Sequence, residues 1–305
     1  MNETQPETSA FTSFGIVGLG LIGGSMAKAL RAFVPGCRIT VADLRCEPVH
    51  AALAEGVADE AADHHAPHFD AAFDGCDALF ICTPPRDACR LLGTFRDARV
   101  GLITDVASVK LPVMKAAAGM TNFVGGHPMA GSEGSGYGAA ETRLFQRATY
   151  VLCVPADCAI PAARLDAFKA LLARLGATVA TMDPDLHDRR VAVISHLPHV
   201  AAFALASAAQ DARDSVMREL IGGGFRDTTR IAASSPDLWT DIFRESANLV
   251  PAIDDYVARL RRIRDLVAAG DDAALRALLK QASDFRASIP EGLRRSAPGA
   301  GGETP

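Results

Sequence analysis

Short apolar runs alternate with helical patterns through the first half of the chain. The runs have the length of strands and lie at 13–18, 38–43, 78–83, 102–106, 123–126, 149–154 and 178–182. Helix-forming segments lie between several of them, and glycine or proline ends most of the runs. Strands that alternate with helices are typical of a doubly wound, mainly parallel sheet, so we predict an α/β domain over 13–183.

The pattern changes near Pro184. From there to about residue 288 the periodicity is helical and the strand signal is weak. We therefore predict a second, all-α domain over 184–290. The polar segment 1–12 and the Gly- and Pro-rich segment 291–305 are predicted to be disordered.

Inside the second domain, Ser235 followed by Pro236 predicts the start of a helix. Serine caps a helix well, and proline fits its first turn. We predict one long helix from this point toward Gly270, with a kink at Pro251, and a final helix over 271–289.

Composition and charge narrow the class of protein. A chain of 305 residues with 49% hydrophobic and 22% charged residues is typical of a globular protein of about two domains. The net charge of −5 argues against nucleic acid or a membrane surface as the partner. The seven cysteines are odd in number and lack CxxC spacing, which favours reduced thiols and a cytoplasmic location. We find neither a secretion signal nor an apolar run of about 18 residues, so we expect no membrane span.

A glycine loop follows the first predicted strand. Gly18, Gly20 and Gly23 form the pattern GxGxxG, and Leu21 and Ile22 open the following helix. The first glycine makes the turn, the second lets the backbone approach a pyrophosphate, and the third lets the helix pack on the strand. The helix N-terminus offers free N–H groups to the phosphates. The alternative is a glycine turn that binds nothing.

An acid at the end of the second predicted strand indicates which dinucleotide binds. Asp43 can accept hydrogen bonds from both adenosine ribose hydroxyls and repels a 2′-phosphate, so NAD is favoured. Arg45 softens this preference, which leaves NADP as the alternative. Thr83 and Pro84 end another strand at the same edge of the sheet, and we assign them to the cofactor site as well.

Two polar side chains after later strands are candidates for catalysis. Ser108 follows the strand that ends near Val106, where it can reach the nicotinamide or a catalytic base. His127 lies between two glycines and a proline, and an imidazole that titrates near neutral pH can take a proton from a hydroxyl. The alternative for Ser108 is an ordinary helix start. The alternative for His127 is a turn histidine that is hydrogen-bonded to the backbone.

The second domain holds two further histidines in the segment SHLPH. His196 and His199 are three residues apart, which is compatible with a metal site, but no matching ligand cluster lies close in sequence. We therefore predict no metal, and we expect these histidines to face substrate or to pack between helices. His187 with Asp188 precedes them.

A glycine-rich segment carries two arginines. The glycines around Gly223 permit close approach of the backbone, and Arg226 and Arg230 share one face of a helix. One of the two arginines can hold a carboxylate in bidentate fashion. The alternative is a solvated pair. Trp239, the only tryptophan, is expected to anchor a helix.

These segments together resemble the prephenate/arogenate dehydrogenase family. The matching pieces are VGLGLIGGS at 17–25, DVASVK at 105–110, GGHPMAGSEGSG at 125–136, HD at 187–188, SHLPH at 195–199 and GGGFRDTTRIAASSPDLW at 222–239. They occur in the family's order and span about residues 14 to 250. GHPMAGSE and SHLPH in one chain are far more specific than GxGxxG.

The resemblance implies a Rossmann-like domain, a helical domain that pairs two subunits, and an active site between the domains. His127 would bind the substrate's ring hydroxyl, and Ser108 would orient that histidine and the nicotinamide. Arg230 would hold a substrate carboxylate, His199 would be a second substrate-site histidine, and Glu133 would lie at the rim. The expected ligands are NAD and a cyclohexadienyl carboxylate, and the expected assembly is a homodimer without nucleic acid or membrane partners.

Alternatives to this activity stay open. A hydroxy-acid oxidoreductase of the 6-phosphogluconate dehydrogenase-like group would use the same glycine loop and helical domain, and a non-catalytic protein that senses the cofactor would need the loop alone. Within the family, the sequence does not separate prephenate from arogenate. We expect a free-standing dehydrogenase without an effector domain.

Overall fold

The computed structural model describes residues 10–211 and 219–290. The predicted disordered tail and most of the predicted disordered N-terminal segment lie outside these ranges. By packing, the chain divides into two compact units, of which the first ends at Leu249 and the second begins at Val250. This division falls well beyond the predicted boundary at 183/184, because the first helices after that boundary pack with the first unit.

One eight-stranded sheet forms the centre of the first unit. Its strands are β1 Ser13–Val17, β2 Arg38–Ala42, β3 Glu60–Ala61, β4 Ala78–Ile81, β5 Ile103–Asp105, β6 Phe123–Pro128, β7 Thr149–Cys153 and β8 Thr178–Thr181. They are ordered β3-β2-β1-β4-β5-β6-β7-β8, and every neighbouring pair is parallel except β6 with β7. The predicted doubly wound, mainly parallel sheet is confirmed.

Helices and short turns connect these strands and continue beyond them. The helices of the first unit are α1 Leu21–Phe33, α2 Cys46–Ala54, α3 Pro85–Thr94, α4 Leu111–Ala116, α5 Ala162–Arg174, α6 Pro184–Val191, α7 Leu197–Asp211, α8 Gly223–Thr229 and α9 Pro236–Glu245. A π-helical segment, Ala192–His196, joins α6 to α7, and a 3₁₀ turn, Arg230–Ala233, follows α8. The predicted helical half is confirmed.

The strands are buried on both faces, which explains why the sequence shows apolar runs rather than strict alternation. Phe14 and Ile16 of β1 pack with Phe80 of β4 on one face of the sheet. Leu79 and Ile81 of β4 belong to the cluster on the opposite face. Helices cover both clusters, so the central strands are enclosed and only the strand ends are open to ligands.

The strand order places a ligand crevice between β1 and β4. The chain moves outward from β1 to β2 and β3, then returns across β1 to form β4. Ligands of open α/β sheets bind at such a switch point, beyond the carboxyl ends of the strands. The carboxyl ends of β5 and β6 lie at the same edge, because β4, β5 and β6 are parallel.

The prediction of one long helix from Pro236 toward Gly270 is wrong. The structure has two helices, α9 and α10 (Leu249–Ala269), with a break at Ser246. Ser246 leaves the helix with ψ 88°, and its hydroxyl bonds a histidine of the preceding helical segment. Pro251 lies in the first turn of α10, where proline needs no hydrogen-bond partner, so it ends no helix.

The second unit contains most of α10 and the final helix, α11 (Asp272–Ser288). Gly270 separates them with a φ of +64°, a left-handed conformation that glycine adopts without strain. The Asp271 carboxylate then accepts a hydrogen bond from the backbone N–H of Ala274 at 3.0 Å and caps α11. The final helix agrees with the predicted one.

A continuous helical stretch from Pro184 to Gln210 is long and apolar enough to cross a membrane, with a mean hydropathy of 1.6 in its most apolar window. The sequence predicted no stretch of this length and apolar composition, and that prediction is wrong. This property alone is weak evidence for a membrane, because core helices of globular proteins share it. The stretch also carries His187, Asp188 and His196 as buried polar groups, which pair with other parts of the first unit.

Candidate active site

The three loop glycines each meet the steric condition that their assigned role requires. Gly18 has a φ of +93°, so it makes a turn that other residues resist. A Cβ at Gly23 would lie 1.8 Å from the carbonyl oxygen of Gly18, so helix α1 can approach the strand only with glycine there. No heavy atom of the described chain lies within 4 Å of a Cβ built on Gly20, which leaves room for a ligand against the backbone.

The start of helix α1 and the carboxylate of Asp43 are the other two parts of the predicted cofactor site. Leu21 and Ile22 form the first turn of the helix, and Gly20 at its N-cap supplies no side chain to occupy the free N–H groups. Asp43 accepts hydrogen bonds from the backbone N–H groups of Leu19 at 2.6 Å and Arg45 at 2.9 Å. The acid therefore ties the glycine loop to the end of β2.

A cavity of about 550 Å³ opens beside this loop. It is lined by Val17, Gly18, Gly20, Ala42, Asp43, Leu44, Arg45, His64, Phe69, Cys82, Thr83, Pro84, Asp87, Arg90 and Leu91. The Oγ1 of Thr83 and the Nε2 of His64 are buried and have no hydrogen-bond partner within the described ranges. Unpaired polar atoms of this kind, beside an uncapped helix start, fit the hydroxyl, amide and phosphate groups of a dinucleotide.

A buried ion pair fixes the ends of β5 and β6. Lys110 and Asp105 are both fully buried, and the Lys110 ammonium bonds the Asp105 carboxylate and, at 2.6 Å, the carbonyl oxygen of Gly126. The carboxylate also accepts hydrogen bonds from the N–H groups of Ala107 and Gly126. Each charge is paired and has at least one further hydrogen bond, which is the condition under which a buried pair is tolerated.

His127 lies on β6 next to this pair and is 7% exposed. Its Nδ1 is 2.8 Å from the Nε2 of His187, whose own Nδ1 is 2.7 Å from the Oδ1 of Asp188. The sequence singled out His187 and Asp188 as a pair but assigned them no role at the site. No local signal reveals the contact with His127, because 60 residues separate the two histidines.

The surroundings of His127 favour its neutral form. Burial is the main cause that lowers its pKa well below the ordinary value, and the charges of His187, Lys110 and His196 act in the same direction. A histidine with a lowered pKa stays unprotonated at neutral pH, so it is ready to accept a proton.

Ser108 is half-buried in the loop between β5 and α4, two residues before Lys110. The Nδ1 of His127 contacts His187, and the orienting role expected of Ser108 stays a prediction. A hydrogen-bonding contact with the backbone of Ser108 raises the pKa of His196, whereas burial lowers it. Burial prevails and lowers the pKa of His196 to about 4.

The two histidines of SHLPH are held by different partners. His196 is fully buried, and its Nδ1 lies 2.9 Å from the hydroxyl of Ser246. His199 is half-buried, donates from Nδ1 to the carbonyl oxygen of Ser195, and stacks on Trp239 with 3.5 Å between ring centroids. Trp239 is buried, as expected of a helix anchor. The π-helical segment widens the backbone at this point, a feature frequent at functional sites.

The guanidinium of Arg230 forms an ion pair with the carboxylate of Glu133, on the loop that follows β6. The structure therefore brings this arginine to the segment that carries His127. Arg226 and Arg230 do not share one helix, because α8 ends at Thr229 and Arg230 begins a 3₁₀ turn. No described heavy atom lies within 4 Å of a Cβ built on Gly223, so its backbone is open to a ligand rather than packed against the protein.

Across the described residues, no group of three or more His, Cys, Asp or Glu side chains is placed to hold a metal ion. All seven cysteines are free thiols. The polar site therefore consists of imidazoles, carboxylates and one guanidinium beside the dinucleotide cavity.

Three features define a dehydrogenase that uses a nicotinamide dinucleotide. They are the doubly wound sheet, the glycine loop with an open helix start, and the acid at the end of β2. Comparison with known proteins specifies the family. The model of the prephenate dehydrogenase nucleotide-binding domain matches residues 26–181, and that of the prephenate dehydrogenase dimerization domain matches 183–281. The chain belongs to the prephenate dehydrogenase family.

Individual relatives agree over most of their length. The prephenate dehydrogenase of Bacillus subtilis is 35% identical over 90% of this chain and 75% of its own. The cyclohexadienyl dehydrogenase of Zymomonas mobilis is 31% identical over 92% of this chain and 97% of its own. The crystal structure of Aquifex aeolicus prephenate dehydrogenase, with hydroxyphenyl propionate and NAD⁺, is 29% identical, covers 92% of this chain and 99% of its own, and superposes with a TM-score of 0.81.

Replacing the acid of the cofactor loop tests the cofactor site. We expect Asp43→Ala to weaken NAD⁺ binding roughly 10- to 100-fold, because charge-assisted hydrogen bonds of about 1.5–3 kcal/mol are lost. The loss for NADP⁺ should be smaller, since the repulsion of its 2′-phosphate is also removed. Titration calorimetry with both dinucleotides measures this, with Glu47→Ala, an exposed position at the start of α2, as the control. Unchanged NAD⁺ affinity in Asp43→Ala would contradict the assignment.

Proposed function

We propose that this chain oxidatively decarboxylates a cyclohexadienyl carboxylate, prephenate or arogenate, on the route to tyrosine. The observation that carries this proposal is a buried, neutral histidine at the sheet edge where the dinucleotide cavity opens, with an arginine paired to the loop just after it. A base and a carboxylate-binding cation at one hydride-transfer site match a substrate that carries both a hydroxyl and carboxylates.

The reaction needs one proton acceptor and firm orientation of the substrate. The glycine loop and Asp43 would hold NAD⁺, which would supply the acceptor for the hydride of the ring carbon that bears the hydroxyl. His127 accepts the hydroxyl proton, and Arg230 exchanges its Glu133 partner for a substrate carboxylate. The ring carboxylate leaves as CO₂. Because aromatisation of the ring drives the step, the protein contributes mainly position and exclusion of water.

The remaining site residues divide between cofactor and substrate. On the cofactor side we place Gly18, Gly20, Leu21, Ile22, Gly23, Asp43, Thr83 and Pro84. On the substrate side we place Arg230, Glu133, His196, His199 and Gly223, with Ser108 between the two ligands. His196 and His199 are neutral by burial, which lowers both pKa values, so they would act as hydrogen-bonding groups rather than as cations.

We infer a cytoplasmic homodimer. The family model over 183–281 is that of a dimerization domain. In the first unit Val193 and Ile194 are exposed, and in the second unit Leu279 and Phe285 are exposed. A second copy would cover large apolar side chains of this kind, which accounts for them without a membrane. Seven free thiols suit a reducing compartment.

Removing the base tests the chemical step. We expect His127→Asn to lower kcat by roughly 10²- to 10⁴-fold, the range for loss of a general base, with little change in NAD⁺ binding. The assay follows NADH absorbance together with the aromatic product, with prephenate and arogenate as separate substrates. Near-normal turnover in His127→Asn would disprove the role of this histidine. Absence of an aromatic product from both substrates with the unaltered enzyme would disprove the function itself.

The carboxylate-binding role is tested by comparing two nearby arginines. We expect Arg230→Ala to raise KM for the substrate roughly 10- to 100-fold, because one charge-assisted pair is lost, with a smaller effect on kcat. Arg226→Ala is the matched control, since Arg226 is exposed on α8. Equal effects of the two substitutions on KM would argue against a specific role for Arg230.

The dimer is tested by charge substitutions on α11. We expect Leu279→Asp with Phe285→Asp to shift the protein from a dimer to a monomer in size-exclusion chromatography with light scattering, because an interface core excludes charge. Gln281→Asp on the same helix is the control. A native chain that runs as a monomer at micromolar concentration would disprove the dimer.

A further inference from the structure

The candidate base His127 is the first of three buried side chains that form a continuous hydrogen-bonded row. Asp188, His187 and His127 are 4%, 1% and 7% exposed. The row runs from the Asp188 carboxylate through both ring nitrogens of His187 to the Nδ1 of His127, with distances of 2.7 and 2.8 Å. His187 thus uses both ring nitrogens within the row, whereas His127 uses only its Nδ1.

The row fixes the position of every proton in it. A carboxylate accepts hydrogen bonds, so the Nδ1 of His187 carries a hydrogen, and in the neutral ring its Nε2 is then an acceptor. The Nδ1 of His127 must then donate to that Nε2, which leaves the Nε2 of His127 unprotonated. The nitrogen that remains free is therefore the basic one, the form that a proton acceptor needs.

The Asp188 carboxylate is held in place independently of the histidines. Its two oxygens accept hydrogen bonds from the backbone N–H groups of Lys110, at 2.7 Å, and Leu111, at 2.9 Å, at the start of α4. The end of the row is thus a fixed negative charge that faces His187.

We propose that His187 and Asp188 form a proton relay, in which the charge that substrate oxidation delivers to His127 passes to His187 and is held there by Asp188. This rests on the proposed function. The substrate O–H bond breaks as an N–H bond forms at the Nε2 of His127. The Nδ1–H bond of His127 then breaks as an N–H bond forms at the Nε2 of His187. The proton returns along the same path to the phenolic oxygen after CO₂ leaves, so no net proton is released.

The two rings of the row have different neighbours, and this difference supports the direction of the relay. His127 is faced by Lys110 from the loop before α4, by His196 from the π-helical segment and by His187 from α6. These groups and burial lower the pKa of His127, so an imidazolium there is unfavourable. The Nδ1 of His187 lies 2.7 Å from the Asp188 carboxylate, so a proton that reaches this ring forms an ion pair there. The Asp105 carboxylate nearby is already bonded to Lys110.

Two substitutions at one position separate a relay from simple orientation. His187→Gln keeps a carbonyl oxygen near the place of Nε2, so it can accept from His127 but cannot carry a proton. His187→Leu removes both abilities. We expect both variants to lose about 100-fold in kcat, with KM and NAD⁺ affinity little changed. Arg189→Gln, on the exposed side of the same helix, is the control for general damage to α6.

Nitrogen-15 NMR of histidine-labelled enzyme supplies a readout that does not depend on turnover. In the native enzyme without substrate we expect His127 to be protonated on Nδ1 and not on Nε2, and His187→Gln to preserve this tautomer. A loss of less than about tenfold in kcat for His187→Gln would overturn the relay, because an acceptor alone would then suffice. Protonation of His127 on Nε2 in the native enzyme would overturn it as well. The NMR result stands even if the substrate assignment fails, so the two failures are distinguishable.

Discussion

The buried pair of Asp105 and Lys110 is the interaction on which the rest of the site depends. It joins the end of β5 to β6 through the backbone of Gly126, directly before His127. The same lysine begins α4, where its backbone N–H bonds Asp188 of α6. One salt bridge with its hydrogen bonds thus connects two strands to the first helix that follows the sheet. A buried charge left without its partner is strongly unfavourable, so this geometry admits few alternatives.

Around this pair the site is built from imidazoles that are buried or half-buried. Burial lowers the pKa values of His127, His196 and His199, so none of the three carries a charge at neutral pH. Nearby, the exposed guanidinium of Arg230 pairs with the half-buried carboxylate of Glu133. The arrangement separates two tasks, because proton transfer is assigned to buried rings and carboxylate binding to an accessible guanidinium.

Most of the fold follows from the sequence because it rests on short-range patterns. Apolar runs bounded by glycine or proline predicted the central strands to within a few residues, since a strand buried on both faces needs an unbroken apolar segment. The edge strand β3 escaped notice because it has two residues and both are exposed. The helix break at Ser246 was missed, and the side chain of Ser246 bonds His196, which lies 50 residues earlier in the chain and beyond any local pattern.

By itself the sequence determined the sheet, the glycine loop, the family and the identity of His127 and Arg230 as candidates. Each of these depends on neighbouring residues or on motif spacing, so the local order of the chain carries the information. Only the tertiary structure decided which groups meet. It brought His187 to the Nδ1 of His127, and it paired Arg230 with Glu133. Hydrogen bonds across 60 or more residues exist only once packing has fixed both ends, and no local pattern encodes that distance.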